Sequence, residues 1–488
     1  MGIRTGAQIL EGLRDGRQLY MNGALVKDVT KDPRLVGGAR TMAQLFDMQH
    51  QPGIIDEMTY ISPKTGERVG LSYLQPKTRE DIARRRKMYR HWHDHTLGMF
   101  GRAPDFVNVM LSSFASGAEA FGPYAKNMTA YYEKARDEDR IATHSLTNPQ
   151  VDRTHNVAAQ AKDLAAKAVR ETDTGVVIRG ARMLATLGAY SDDLFVMPAP
   201  SYPLPNTEEA KAFAIGFWIP VATPGVKLIN RPGMIQPGLG SSHDYPLSSR
   251  FDESDCMIIF DDVLVPWENM LMYRDIEIFN NIYRRVHAMG AMGHQFSVKD
   301  LCKAEFMMSL AFTLVRSTKV DEFLHVQGMM AELINNMEVL HSCILASEAQ
   351  AEITSVGVMS PAMGPLGAVR YLFPEMFRRA CEVIQIVGAG GLAMVPSYAE
   401  MSGPLAEDVK TYYQAAAADS DTRIRLFRLA VDAAMSSFSG RQQLYERYFA
   451  GDPVRGAGNL YNAFDKAPYV GRINTLLERF KLEDQAWN

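Results

Sequence analysis

Residues 213–221 read Phe-Ala-Ile-Gly-Phe-Trp-Ile-Pro-Val, an apolar run of strand length, and the turn Thr223-Pro-Gly225 follows at once. Val226-Lys-Leu-Ile-Asn230 then resumes a strand pattern, and Met257-Ile-Ile-Phe260 leads into Asp261-Asp-Val-Leu-Val-Pro-Trp267. Upstream, Thr174-Gly-Val-Val-Ile-Arg-Gly180 is a turn feeding a strand, with β-branched residues between glycines. This is a β-rich block, and helical sequence lies on both sides of it. Before it, Thr78-Arg-Glu-Asp81 has the spacing of a capping box, and a second helix is expected over about 106–135. After it, long periodic Ala/Met/Leu-rich segments near 281–315, 318–350, 365–390 and 405–449 predict an antiparallel bundle of four helices. Helices, then strands, then helices define an α+β chain. The expected partition is an N-terminal helical domain over 1–140, a middle β-barrel-like domain over 141–268 and a C-terminal four-helix bundle over 269–488.

At 488 residues the chain is long enough for about three domains. Its 47% hydrophobic and 22% charged content is that of a globular protein. A net charge of −4 leaves no basic excess to neutralise phosphates, so no nucleic-acid partner is expected. The start, Met-Gly-Ile-Arg-Thr-Gly-Ala-Gln, has no signal-peptide pattern, and no apolar run is long enough to span a bilayer. The four cysteines, Cys256, Cys302, Cys343 and Cys381, are isolated among apolar neighbours. That fits reduced core thiols and a cytoplasmic location. The 28 methionines read as fillers of irregular helical cores.

Three segments carry most of the polar chemistry. Leu97-Gly-Met-Phe-Gly-Arg-Ala-Pro-Asp-Phe106 places Arg102 at an irregular helix junction, where a permanent cation can donate to an anionic ligand or simply satisfy helix-end carbonyls or Asp105. Thr143-His-Ser-Leu-Thr-Asn-Pro-Gln-Val-Asp-Arg153 reads as a polar loop in which His144 is either a titrating catalyst or merely exposed. Arg179-Gly-Ala-Arg-Met-Leu-Ala-Thr186 ends a strand at a threonine of ordinary type. Near the C-terminus, Gly451-Asp-Pro-Val-Arg455 is a helix-terminating turn. Gly388-Ala-Gly-Gly391 follows a helical Ile-Gln-Ile-Val rather than a strand, so it is no dinucleotide fingerprint. His91, His93 and His95 do not share one helix face, and no metal site is expected from them.

Taken with Tyr245-Pro-Leu-Ser-Ser-Arg250 and Phe260-Asp-Asp-Val-Leu-Val-Pro-Trp-Glu268, these segments resemble the oxygenase components of 4-hydroxyphenylacetate 3-monooxygenases. The likeness extends from Arg4-Thr-Gly-Ala to Lys466-Ala-Pro-Tyr469. It implies a two-component, FADH2-dependent phenol hydroxylase on an acyl-CoA dehydrogenase-like scaffold. The reaction implied is ortho-hydroxylation of a 4-substituted phenol such as 4-hydroxyphenylacetate to a catechol, with O2 as co-substrate and a flavin C4a-hydroperoxide as oxidant. Halo- or nitrophenols and carrier-tethered, tyrosine-like phenols are the alternative substrates. With no nicotinamide site, FADH2 must come from a separate NAD(P)H:flavin reductase. A homo-oligomer, a tetramer above all, is expected from the long apolar bundle helices.

By the same resemblance, Arg102 and His144 hold the phenol, with Phe106, Ala199 and Pro200 along the pocket wall. His144, Ser145, Leu146, Gln150, Val151, Asp152, Arg153 and Thr186 contact the flavin, Thr186 at N5. Gly451, Asp452, Pro453 and Val454 form its second contact segment. His294 is a further catalytic candidate, since chlorophenol-oxidising relatives have a histidine in this region, although a helix-face histidine is usually a core residue. The family commonly has Tyr at the position of Phe106 and hydroxyl side chains at Ala199 and Pro200, so the pocket here is less polar. A 4-hydroxybutyryl-CoA dehydratase shares the scaffold but needs three cluster thiolates, and this chain has no cysteine before Cys256.

Overall fold

The computed structural model describes residues 2–149, 151–160, 164–200, 202–235, 238 and 241–486, with side chains through Lys481. The N-terminal part holds helices α1 (Gly6–Gly12), α2 (Val36–Met48), α3 (Ile55–Met58), α4 (Arg79–His95), α5 (Asp105–Ser116) and α6 (Ala125–Asp137), with two short hairpins, β1 (Leu19–Met21) with β2 (Ala24–Leu25) and β3 (Thr59–Ile61) with β4 (Arg68–Gly70). The capping box at Thr78 forms as its spacing predicts, with the threonine side chain accepting from the Asp81 N–H and the Asp81 carboxylate accepting from the Thr78 N–H. The single helix expected over 106–135 is in fact two. Gly117 ends α5, and Gly122, at φ +57° and followed by Pro123, turns the chain before α6 begins.

The middle strands are β5 (Ala142–Ser145), β6 (Lys167–Thr172), β7 (Gly175–Thr186), β8 (Asp193–Val196), β9 (Ile215–Pro220), β10 (Val226–Asn230), β11 (Asp255–Pro266) and β12 (Met270–Tyr273), with one-turn helix α7 (Ser248–Phe251) before β11. They form two sheets, ordered β2-β1-β10-β11-β7-β6 and β12-β9-β8-β5. Thus β1, far away in sequence, runs parallel to β10, with Leu19 opposite Leu228. At the expected boundary after residue 268 lies a single helical turn, Trp267–Asn269, after which β12 pairs with β9. Phe217 and Phe260 meet edge to face where the sheets pack, with ring centroids 5.6 Å apart.

The C-terminal half contains α8 (Ile276–Arg285), α9 (Ala288–Thr318), α10 (Leu324–Ala349), a small hairpin β13–β14 (Glu352–Ile353, Met359–Ser360), α11 (Met363–Ala393), α12 (Ala406–Tyr412), α13 (Ser420–Ala434), α14 (Ser437–Tyr448), α15 (Pro453–Ala463) and α16 (Ala467–Ala486). Helices α9, α10, α11 and α13 make the bundle around Leu314, Leu340, Val369, Ile384 and Phe427. The fourth expected helix, 405–449, is divided into three. Asp419 and Ser436 each cap a new start by accepting from the N–H three residues on. Gly388–Gly391 lies inside α11 at a kink centred on Ala389 (φ 44°), consistent with its rejection as a nucleotide loop. The whole is the α+β, acyl-CoA dehydrogenase-like arrangement that the sequence resemblance implies.

Candidate active site

The α4–α5 junction, the β5 and β7 strand ends and the C-terminus of α14 converge on one buried polar centre. Arg102 sits in the turn between α4 and α5 and is only 8% exposed. Its guanidinium lies 3.9 Å from the Phe106 ring centroid and faces Phe449 at 5.3 Å and Tyr445 at 5.7 Å. Nη2 donates to the Phe449 carbonyl at 2.9 Å, which satisfies the end of α14, whereas Nη1 is buried without a partner. Among the described residues no carboxylate pairs with this guanidinium. A buried cation with an open donor is a strong anion site.

His144 belongs to β5, not to a polar loop as its surroundings suggested. Two of the three polar side chains in a row on that strand find a backbone acceptor. Thr143 Oγ1 donates to the Thr186 carbonyl at 2.6 Å, Ser145 Oγ reaches the Met183 carbonyl at 3.5 Å, and β8 lies alongside with Phe195 opposite His144. The His144 ring packs 5.3 Å from that of Phe106. Burial, and then the neighbouring Arg102 charge, hold the imidazole well below its ordinary pKa, so it is neutral near pH 7.

Thr186 closes β7, as expected. Its hydroxyl donates to Asp255 Oδ1 at 2.8 Å, leaving the oxygen lone pairs as acceptors only. Asp255 also takes Arg231 and Arg441, which keep its carboxyl far below the usual range. Arg441 continues to Glu253 at 2.6 Å, and Glu253 accepts the Arg102 backbone N–H at 2.5 Å. Between the two acids Ser254 takes φ +58°, which turns consecutive carboxylates to opposite ends of the Arg441 fork. One charge chain therefore ties Thr186 to the Arg102 turn. Glu253, Asp255, Arg441, Tyr445 and Phe449 are not visible as site residues in the sequence. The one signal for Glu253 and Asp255 is their position directly after the Tyr245–Arg250 motif.

The other expected residues are distributed as follows. Leu146 accepts from Arg182 at 2.9 Å, next to His144. Ala199 is half-buried and Pro200 exposed, on the segment whose Pro198 carbonyl accepts from Tyr283 at 3.1 Å. Val151, Asp152 and Arg153 are exposed. The Asp152 carboxylate is already engaged by Thr154 and His155, which hold its pKa down at about 2. Gln150 lies outside the described residues. Gly451 turns at φ +101°, and Asp452 caps α15 with Pro453 and Val454 in its first turn. That turn stays near the centre, since Phe449 holds Arg102 and the Arg455 guanidinium sits 5.0 Å over the Tyr202 ring.

His294 falls in different company. Its Nε2 donates to Glu348 at 2.8 Å, Arg86 takes the same carboxylate, and its ring faces Tyr89. The structure does not bring it to Arg102 or His144. His91, His93 and His95 point to Glu57, Asp105 and Gln44 respectively, so they share no metal position. The four cysteines are free and scattered.

Orphaned donors are what an acceptor-rich ligand requires. Arg102 Nη1 and the Tyr445 hydroxyl are both buried and unpartnered, and the Thr186 oxygen is left as an acceptor. A flavin and a phenolate fit this set. The chain belongs to the 4-hydroxyphenylacetate 3-hydroxylase family, whose N-terminal model matches residues 5–272 and whose C-terminal model matches 279–478. It is 38% identical over 477 residues to the 4-hydroxyphenylacetate 3-monooxygenase oxygenase component of Thermus thermophilus, covering 97% of each chain. A probable 4-hydroxyphenylacetate 3-monooxygenase of Bacillus subtilis is 36% identical, over 98% of this chain and 99% of that one. A crystal structure of an oxygenase component complexed with FAD and 4-hydroxyphenylacetate superposes with a TM-score of 0.93 at 38% identity, covering 98% of this chain and 99% of that one.

Proposed function

We propose that the chain is the oxygenase component of a two-component system that hydroxylates a 4-substituted phenol, such as 4-hydroxyphenylacetate, at the ortho carbon. The observation that carries this reading is the buried Arg102 guanidinium, with Nη1 open, beside the neutral imidazole of His144. FAD, used as FADH2, supplies when bound the two electrons that divide O2 between the ortho carbon and water. Arg102 donates Nη1 to the phenol oxygen and favours its ionised, electron-rich form, because the local cation has no carboxylate of its own. His144, being neutral, accepts a hydrogen bond from the phenol or passes its proton on. The Thr186 oxygen, with its own hydrogen given to Asp255, accepts from the N5–H of a reduced flavin. Ser145, Leu146, Gln150, Val151, Asp152, Arg153 and Gly451 to Val454 are proposed to line the remaining flavin contacts.

The same reading includes a separate NAD(P)H:flavin reductase as partner, as the naming of the relatives as oxygenase components implies. It also includes a homo-oligomer. Leu460, Tyr461, Phe464, Val470, Ile473 and Phe480 on α15, α16 and the turn joining them are large apolar side chains left exposed, which a second copy of the chain would cover. Among the described residues no helix is long and apolar enough to cross a membrane. The test is to supply photoreduced FAD, O2 and a panel of phenols to the purified chain and score catechol. Consumption of NADH by the chain alone, or no catechol from any phenol, would reject the reading.

A further inference from the structure

The turn that carries Arg102 is gripped from behind by α9 and α14. It is a demanding turn, because Leu97 and Gly98 take φ +57° and +63° in succession, and a leucine adopts that conformation only where its surroundings impose it. Gly98 rests directly on α9, since a Cβ there would come within 2.7 Å of the Lys299 carbonyl oxygen and of the Lys303 backbone nitrogen. Gln442 of α14 donates its Nε2 to the Met99 carbonyl at 2.8 Å. Gly101 is pressed against the Tyr445 ring, where a Cβ would lie 2.6 Å from a ring carbon. The Phe449 carbonyl then takes Arg102 Nη2 at 2.9 Å. Residues 442, 445 and 449 are three and four apart, so one stripe of α14 makes all these contacts.

Buried charge sets the placement of that stripe. Lys299 and Lys303, one turn apart on α9, are 0% exposed. Lys299 donates to both Glu446 oxygens, at 2.8 and 2.7 Å. Lys303 donates to Glu446 and also, at 2.8 Å, to Gln442 Oε1. Burial alone would raise the Glu446 carboxyl, and the two lysine charges bring it below its ordinary range, so it is ionised. By engaging the amide oxygen of Gln442, Lys303 leaves the amide nitrogen for Met99. Lys299 Nζ lies 4.8 Å from the Phe449 ring centroid, and the Arg102 guanidinium 5.3 Å from the same ring.

We propose that Gln442, Glu446, Lys299 and Lys303 are positioning residues for Arg102. Their ion pairs fix α14 on α9, and α14 in turn holds the Arg102 turn at Met99 and the guanidinium at the Phe449 carbonyl. They act on the phenol through Arg102, and the proposal rests on the phenol-hydroxylase reading.

The test uses Gln442→Met, which removes the donor to Met99 and leaves the ion pairs whole, and Glu446→Gln, which removes their negative charge. Each is made alone and together with Arg102→Ala. The measurements are phenol KM and kcat, peroxide released per FADH2 oxidised, and Tm with and without 4-hydroxyphenylacetate. Gln442→Met is expected to raise the phenol KM about three- to tenfold while FADH2 oxidation stays within about twofold, and Glu446→Gln to raise KM about tenfold or more. Added to Arg102→Ala, Gln442→Met should change KM less than about twofold, because the group it sets is gone. A lowered Tm with an unchanged phenol KM would make the cluster a packing element and overturn the proposal. So would the same rise in KM with and without Arg102. If Glu446→Gln does not fold, Gln442→Met decides the matter. Should the wild type form no catechol, a 4-hydroxyphenylacetate-induced rise in Tm that is lost alike in Arg102→Ala and Gln442→Met keeps the proposal while the hydroxylase reading falls. A rise unchanged in Gln442→Met, or none in the wild type, overturns the proposal as well.

Discussion

His144 and His294 are both deeply buried and both titrate below the ordinary imidazole range, yet their surroundings differ in kind. His294 is paired with an acid: Glu348 accepts from it, Arg86 takes the same carboxylate, and Tyr89 lies beside the ring. His144 faces a cation, has no acid beside it, and shares its aromatic neighbour with a guanidinium that has an open donor. Burial alone therefore does not mark a site. The mark here is a buried cation with an open donor beside an imidazole that has no acid partner. The cluster behind Arg102 makes the same contrast. Glu446 binds Lys299 and Lys303, while Asp300, also beside Lys299, has its carboxyl pushed up by burial and by Glu446. There Glu446 pairs with both lysines and fixes α9 against α14.

The sharpest way to break this contrast is Arg102→Ala. Losing a charged donor of about 1.5–3 kcal/mol should weaken phenol binding roughly tenfold to a hundredfold. Steady-state kinetics with saturating FADH2 would show it, and an unchanged KM and kcat would remove Arg102 from the site. Next comes His144→Ala, expected to divert a large share of turnover to hydrogen peroxide. The measurement is peroxide against catechol per FADH2 oxidised. By contrast, His294→Ala should lower stability by about 1–3 kcal/mol, because Glu348 loses a buried donor, while leaving coupling near the wild-type value. Denaturant titration beside product analysis separates the two histidines, and strong uncoupling in His294→Ala would place it in the catalytic centre after all.

A pH series sharpens the comparison further. Both histidines have folded pKa values below the unfolded value of about 6.5, so the unfolded chain binds more protons below that pH. Their contribution to stability is present above about pH 6.5 and is lost as pH falls toward the folded values. Tm should decline from pH 7 to pH 5, less steeply in His144→Phe. The smallest effect is expected from Phe106→Tyr, which returns a phenolic donor worth about 0.5–1.5 kcal/mol and should improve 4-hydroxyphenylacetate use by two- to tenfold.

Much of this molecule was legible in residue patterns, and the exceptions share a cause. The Thr78–Asp81 cap, the Val226–Asn230 strand and the Thr186 strand end are set by local chemistry and appear where expected. His144 was misplaced in a loop because Thr-His-Ser looks solvated until Thr186, Met183 and Phe195, some forty to fifty residues away, are seen to receive it. The β1–β10 pairing and the Thr186–Asp255–Arg441–Glu253 chain are likewise long-range, and no spacing rule encodes them. The long fourth helix failed on weak local signals, since the caps at Asp419 and Ser436 interrupt a pattern that periodicity alone carries through.

The central claim is that the unsatisfied Arg102–His144 centre is where a phenol is hydroxylated. The most direct measurement is catechol formed per FADH2 oxidised, in the wild type and in Arg102→Ala, with FADH2 and O2 supplied and no nicotinamide present. The expected result is coupled catechol formation by the wild type and little catechol, with peroxide in its place, from Arg102→Ala. Equal, coupled catechol formation by both proteins would contradict the account.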